Sequence, residues 1–303
     1  MSRHLGLDLG GTNVKWVVLE ADGAGLRVVA SERVHTDTSR GERGVVEQLI
    51  EVAVASSQDT GPFVSAGVGV PGLYDPVEGT TRFMPNVPGK WAGVPVAAEL
   101  GAALGVHVRL INDARAFTLA EHRLGAGRGA DSMLGITLGT GVGGGLILGG
   151  ILYEGHDGTA GEFGHQTILP DGLACNCGNR GCLEVLARAD AIVAACGRPT
   201  VEESVAAAQA GDRRAQQGLT DAGSYLGIGV ANVMALLSVD RVVVGGGVAA
   251  AGEMLLEPLR AELKRRVFIT DVSLVEVVCA ELGVWAGAIG AAIHGAGKAP
   301  AFG

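Results

Sequence analysis

The chain has 303 residues, 48% of them apolar and 18% charged, with a net charge of −9 and no basic block; this excludes a disordered chain and argues against a nucleic-acid partner. Fifty glycines without a G-X-Y period exclude collagen, and the longest apolar stretch, Leu226 to Val239, is broken by Asn232 and falls short of the roughly 20 residues of a membrane span. Asp8 interrupts the first apolar run, so no signal peptide fits, and five cysteines with three packed between 175 and 182 point to a metal site in a reduced cytoplasm rather than a secreted disulfide framework.

In chain order, Leu5 to Leu19 (LGLDLGGTNVKWVVL) reads as strand, Gly/Thr turn and strand, the pattern of a β-hairpin. Gly44 to Ala55 carries Val45, Leu49 and Val52 at helical spacing, and Val64 to Val70 is a buried strand ending at Pro71-Gly72. Val94 to Leu104 predicts a helix, Val106 to Ile111 a strand, and Asn112-Asp113 the start of another helix. Leu134 to Leu148 (LGITLGTGVGGGLIL) then repeats the opening hairpin 129 positions on, which predicts two domains of one fold. Helices follow over Ala187 to Ala195, Val201 to Ala210 and Arg213 to Leu237. Arg241 to Val244 is a buried strand running into Gly245-Gly246-Gly247, Gly252 to Arg266 a helix, Val272 to Ala280 a last strand, and Ala286 to Gly295 a helix of small residues. The alternation predicts mixed α/β domains with a boundary near 112–130, whose ligands favour the carboxyl ends of strands.

Three motifs carry chemistry at such ends. In Asp8-Leu9-Gly10-Gly11-Thr12-Asn13 the glycines expose backbone N–H groups that can cradle a phosphate, and Asp8 can hold Mg²⁺ through water. Gly139-Thr140-Gly141 opens the matching loop of the second half; it also satisfies G-x-G-x-x-G, but Leu146-Ile147-Leu148 prolong a strand where a dinucleotide fingerprint needs a helix. Two phosphate loops on two like-folded domains predict a nucleotide clamped between them, with Gly245 and Gly246 either against its adenosine or serving as a packing turn. Asn112 and Asp113 are good helix caps, and a carboxylate at a helix N-terminus is equally the rigid base that phosphoryl transfer needs.

His165, Cys175, Cys177 and Cys182 form H-x9-C-x-C-x4-C, four ligands that fit a closed, structural tetrahedral Zn²⁺ site. Glu162 and Glu184 flank it, so that acids and histidine together make a polar pocket for a polyhydroxyl ligand. Pro71-Gly72 and Pro85-Asn86 are turns by composition.

These motifs, with Gly69-Val70-Pro71-Gly72, Glu162-Phe163-Gly164-His165 and the Cys175 to Glu184 run, occur in an order that resembles the ROK family (repressors, open reading frames, kinases), in particular its bacterial glucokinase-like sugar kinases, over nearly the whole chain. The resemblance implies an α/β chain of two ribonuclease-H-like domains of the actin-like ATPase (sugar kinase) fold, with an interdomain cleft that closes over ATP and sugar. A smaller N-terminal domain would span 1–112, completed by the C-terminal helix 286–303, and a larger one with the zinc site 113–285. It implies Asp113 as the base, and Asn86, Asn112, Glu162, His165 and Glu184, with the Gly72 backbone, as sugar contacts. Asp8, Gly10, Gly11, Thr12 and Asn13 and the loop Gly139, Thr140 and Gly141, with Gly245 and Gly246, would bind ATP with Mg²⁺. It further implies a cytoplasmic homodimer or homotetramer. DNA binding is not expected, because the family's repressors place a winged helix ahead of a strand that here begins by residue 4. Two departures stand out: Asn13 where many members carry lysine, with Lys15 two positions on, and Asn176 in place of a frequent glycine. The implied reaction is ATP-dependent phosphorylation of the 6-hydroxyl of glucose or a close analogue. An amino-hexose such as kanosamine, N-acetylmannosamine, mannose, fructose or a C7-cyclitol remains open as substrate, as does a sugar sensor without catalysis.

Overall fold

The computed structural model describes residues 1–23 and 25–297. Its contacts divide into two compact units: Met1–Leu124 with Glu154–Ala160 and the segment from Val284 onward, and Gly125–Tyr153 with Gly161–Gly283.

The first unit opens with β1 (Ser2–Leu9), β2 (Asn13–Asp22) and β3 (Gly25–His35), followed by α1 (Gly41–Thr60), β4 (Ser65–Val70), β5 (Leu73–Asp75), β6 (Thr80–Phe83), α2 (Val96–Leu104), β7 (His107–Asn112) and α3 (Asp113–Leu124). Its main sheet has the order β3-β2-β1-β4-β7, with β1 antiparallel to β2 and parallel to β4, and β4 parallel to β7. Burial of Leu5, Leu7, Leu9, Val14, Val18, Val68 and Val70 builds the core beneath it. β3 is absent from the sequence reading because it is an exposed edge strand on both faces, whose charges (Arg27, Glu32, Arg33) replace any apolar alternation.

The second unit repeats this layout. It holds β8 (Met133–Leu138), β9 (Val142–Leu148), β10 (Ile151–Leu152), α4 (Glu184–Ala187), α5 (Ala189–Cys196), α6 (Val201–Gln209), α7 (Arg213–Leu237), β11 (Arg241–Gly245), α8 (Glu253–Arg266) and β12 (Glu276–Cys279). The sheet order β10-β9-β8-β11-β12 reproduces the first unit's sequence of antiparallel, antiparallel, parallel and parallel pairings. The internal repeat therefore extends from the hairpin to the whole sheet. Asp212 starts α7 by accepting from the backbone N–H groups of Arg214 (2.9 Å) and Ala215 (3.0 Å). Along α7, Gly223 and Gly227 let α8 approach, since a Cβ there would lie 2.4 and 2.6 Å from the carbonyl oxygens of Leu255 and Leu259. The predicted strand from Val272 shrinks to β12 because Asp271 captures the Ser273 N–H (2.9 Å) and turns 272–274 into a short 3-10 segment.

The last helix, α9 (Ala286–Gly295), returns to the first unit, where it packs on β1, β4 and α3. Glycines make that packing possible at its contacts. A Cβ at Gly6 would lie 1.9 Å from the Ala288 oxygen, one at Gly67 1.8 Å from the Ala291 oxygen, and one at Gly290 1.8 Å from the Ala116 oxygen. The contact division consequently falls after Leu124 rather than after residue 112, because α3 lies along α9. Of the segment 286–303, residues 298–303 lie outside the described residues. Buried Arg115 on α3, 1% exposed, donates from Nε to the Ala160 oxygen (2.6 Å) and ties Glu154–Ala160 into the same unit. Among the described residues no helix is long and apolar enough to cross a membrane.

Candidate active site

In the first unit β1, β4 and β7 run parallel, so their carboxyl ends share one edge of the sheet. That edge brings together the Gly10–Asn13 turn, Gly72 and Asn112-Asp113. Asn86 joins them through Gly11, at which a Cβ would lie 2.2 Å from the Asn86 oxygen. Asn112 works as the helix cap: its Oδ1 accepts from the N–H groups of Ala114 (3.1 Å) and Arg115 (3.2 Å), and its Nδ2 donates to the Gly72 oxygen (3.3 Å). Asp113 is the first residue of α3, and its Oδ1 accepts from the Ala114 N–H (2.9 Å). The half-buried carboxylate is thereby aimed by the helix end, whose dipole favours the anion.

Thr36 fastens the first turn. Its N–H donates to the Thr12 oxygen (2.9 Å) and its hydroxyl to the Gly10 oxygen (2.8 Å), while the Gly10 N–H donates to the Asn13 oxygen (3.0 Å). Among the described residues the N–H groups of Gly11 and Thr12 have no acceptor, which is the donor pair an anion cradle requires. Asp8 lies under the turn, 9% exposed, with Lys15 Nζ 2.8 Å from its Oδ2. The two are cross-strand partners in the hairpin register. Sequence reasoning missed this pair and the role of Thr36; the hairpin register would have given the first, and nothing local signals the second. The start of α9 closes over Asp8, for a Cβ at Gly287 would come within 2.7 Å of its carboxylate carbon.

In the second unit the carboxyl ends of β8 and β11 place Gly139–Gly141 beside Gly245 and Gly246. Gly246, at φ +87°, serves packing: a Cβ would sit 2.2 Å from the Leu138 oxygen. The turn is one residue shorter than its counterpart, since Leu138 pairs with Val142 whereas Leu9 pairs with Val14. Its Gly139 N–H donates to the Gly141 oxygen (3.0 Å), the Gly139 oxygen accepts from the Ala189 N–H (2.8 Å), and Val142 N–H donates to Glu184 Oε2 (3.1 Å). The N–H groups of Thr140 and Gly141 have no acceptor among the described residues, as in the first turn. Gly144 in the glycine run along β9 is required by the segment that leads into the short helical turn Phe163–His165, because a Cβ there would meet Phe163 Cβ at 2.6 Å and the Gly161 oxygen at 2.8 Å. Glu162 and His165 are thus held against β9, with His165 Nε2 and Glu162 Oε2 4.0 Å apart.

The donor atoms of His165, Cys175, Cys177 and Cys182 all lie within 4.8 Å of one another. Tetrahedral zinc with arms of about 2.3 Å to sulfur sets its donors about 3.8 Å apart. Here Cys177 and Cys182 Sγ are 3.7 Å apart, and Cys175 Sγ lies 3.8 Å from His165 Nδ1. The cluster is consistent with a zinc site in donor type and in spacing. As free thiols these groups are mismatched: burial, with the Cys177 and Cys175 thiols beside it, pushes Cys182 up to about 12, and burial raises Cys175. The Asn179 N–H draws Cys177 down. A bound cation reverses that logic by taking thiolates. With Nδ1 toward the sulfurs, His165 presents Nε2 toward Glu162.

Comparison with known proteins decides the family. The model of the ROK family matches residues 4–295. The chain belongs to the ROK family. It is 36% identical to a glucokinase of Thermotoga maritima over 95% of each chain. The solved ROK hexokinase of Thermus thermophilus has a TM-score of 0.83 at 38% identity, over 97% of this chain and 98% of that one. A ROK family glucokinase from Streptomyces griseus, in complex with glucose and AMPPNP, has a TM-score of 0.82 at 30% identity, over 97% and 99% of the two chains. By homology this ROK protein is a glucokinase-like, ATP-dependent sugar kinase with the mixed α/β fold of those structures.

Proposed function

We propose that this ROK kinase transfers the γ-phosphoryl group of ATP to the 6-hydroxyl of glucose or a close glucose analogue, with Asp113 as general base. The observation that carries the reading is the position of Asp113: first residue of α3, at the carboxyl end of β7, with its neighbour Asn112 spent on capping the helix and holding Gly72. A base fixed in this way removes the hydroxyl proton without reorganising. The proton passes from O6 to the Asp113 carboxylate, O6 forms the bond to phosphorus, and the bond from phosphorus to the β–γ bridging oxygen breaks with its electron pair leaving on ADP.

Asn86, Glu162, His165 and Glu184 read the other hydroxyls in this proposal, with Asn112 and Gly72 framing the site. The unpaired N–H groups of Gly11 and Thr12 and of Thr140 and Gly141 support phosphate binding. Mg²⁺ bound with ATP would screen the phosphate charge, and Asp8, whose carboxylate is paired with Lys15 beneath the turn, is the residue that would hold it through water. The zinc ion would be held by His165, Cys175, Cys177 and Cys182 as a structural staple. The resemblance also carries cytoplasmic residence and a homodimer or homotetramer, the latter measurable by light scattering. A coupled assay of wild type and Asp113→Asn over a sugar panel tests the central claim: kcat should fall by about 10²–10⁴-fold. Retained turnover in the variant would remove Asp113 from the chemistry, and a best substrate other than a glucose-type hexose would replace the sugar.

A further inference from the structure

The side chain of Glu184 joins two features that the reading above treats separately. It begins α4, two residues after Cys182, the last donor of the His165–Cys182 cluster. Its Oε1 lies 3.9 Å from Cys175 Sγ, while its Oε2 accepts from the Val142 N–H at 3.1 Å. Val142 is the residue that closes the Gly139–Gly141 turn and starts β9. The fit is close, because a Cβ on Gly141 would stand 2.6 Å from Oε2. A side chain at 141 would push the end of Glu184 away from the turn. The other flank of the turn is held from the same stretch of chain, through the Ala189 N–H on the Gly139 oxygen (2.8 Å). The segment 182–189 therefore grips the turn on both sides, and the cluster fixes where that segment lies.

The geometry points to Glu184 as a positioning residue for the nucleotide loop: its carboxylate latches Val142 to the metal cluster, so that part of the dependence of nucleotide affinity on cluster occupancy passes through this side chain. This rests on the reading of Gly139–Gly141 as a phosphate loop. The latch is a hydrogen bond from a neutral amide to an ionised acceptor, the stronger class of such bonds, and it holds the turn with the Thr140 and Gly141 N–H groups outward. When the cluster loses its metal, residues 175–184 lose their fixed frame, and the carboxylate no longer has a defined place from which to hold Val142. Glutamine at 184 keeps a carbonyl oxygen that can accept the same N–H; alanine does not.

The test uses the full chain with its cluster zinc-loaded, AMPPNP as probe and no sugar, so that any contact of Glu184 with substrate is silent. Titration calorimetry should show Glu184→Ala binding AMPPNP about tenfold more weakly than wild type, and Glu184→Gln within about threefold. Stripping the metal should weaken AMPPNP binding in wild type by at least the factor seen for Glu184→Ala, and should weaken it by a clearly smaller factor in Glu184→Ala, where the share carried by the carboxylate is already gone. Hydrogen exchange at the Val142 amide should speed up in Glu184→Ala and in stripped wild type, and stay slow in Glu184→Gln. Wild-type affinity in Glu184→Ala, or an equal further loss when that variant is stripped, would overturn the latch. If loaded wild type fails to bind AMPPNP, the phosphate-loop reading fails instead, and the Val142 exchange still decides the latch.

Discussion

The two glycine turns share one geometry on different supports. Among the described residues, each leaves two backbone N–H groups without an acceptor at the carboxyl end of a like-ordered sheet. The first, Gly10–Asn13, is fastened by Thr36, which directly follows the strand β3 of its own sheet. The second, Gly139–Gly141, is fastened from outside its sheet by Glu184 and Ala189, just after the cysteine cluster. The first unit thus encodes its turn in local β-structure, whereas the second hands its turn to the segment that follows the His165–Cys182 cluster. One topology, used twice, has acquired two dependences.

The largest expected effect follows from removing the metal. In isolated zinc-finger peptides a structural zinc contributes about 10–16 kcal/mol, and in a unit with its own hydrophobic core only a part of that is at stake. Chelation, or Cys182→Ser, should therefore separate the calorimetric transition of the second unit to lower temperature and open residues 166–183 to protease, with the first unit's transition unmoved. A single unchanged transition would mean that the cluster carries no stability and the contrast fails. Next in size, Gly11→Ala drives a methyl into the Asn86 oxygen, 2.2 Å from the ideal Cβ position, and should cost about 1–3 kcal/mol in urea melts while leaving zinc content intact. Thr36→Val removes one buried hydroxyl bond to Gly10 and should cost about 1 kcal/mol with a few-fold loss of AMPPNP affinity. If that variant also lost zinc, the two turns would not be independent.

The last effect is absent at neutral pH and appears only on acidification. Burial, with Arg109 nearby, holds His294 on α9 at about 4, below its ordinary 6.5. Between those values the unfolded chain takes up a proton that the folded chain refuses, so stability is full above about 6.5 and declines as the pH falls toward 4. His294→Gln should flatten that decline in the first unit's melting transition measured against pH. An unchanged slope would assign the acid sensitivity elsewhere.

Much of the fold was legible because its signals are local. The turn glycines and flanking apolar runs marked both hairpins, and α7 and α9 span the ranges Arg213–Leu237 and Ala286–Gly295 read from apolar spacing and the small-residue run. Donor type and spacing identified the cluster, and the strand–helix junction identified Asn112-Asp113. What escaped the reading depends on partners far along the chain. The sequence ruled out a dinucleotide fingerprint over Gly139, Gly141 and Gly144 without saying why Gly144 is a glycine; Phe163 and Gly161, which lie on it, supply the reason. Glu184 holds an amide 42 positions away, and no periodicity reports that distance. β3 escaped for the opposite reason, having no buried face to leave a pattern.

The return of α9 to the first unit sets an order on biosynthesis. Gly6 and Gly67 receive backbone that emerges from the ribosome more than 200 residues later. At about 5–20 residues per second, β1 and β4 wait on the order of 10 s or more with a glycine-lined face uncovered. The second unit, contiguous apart from one short excursion, is free to assemble meanwhile. The amino-terminal half, translated first, is therefore completed only when α9 arrives.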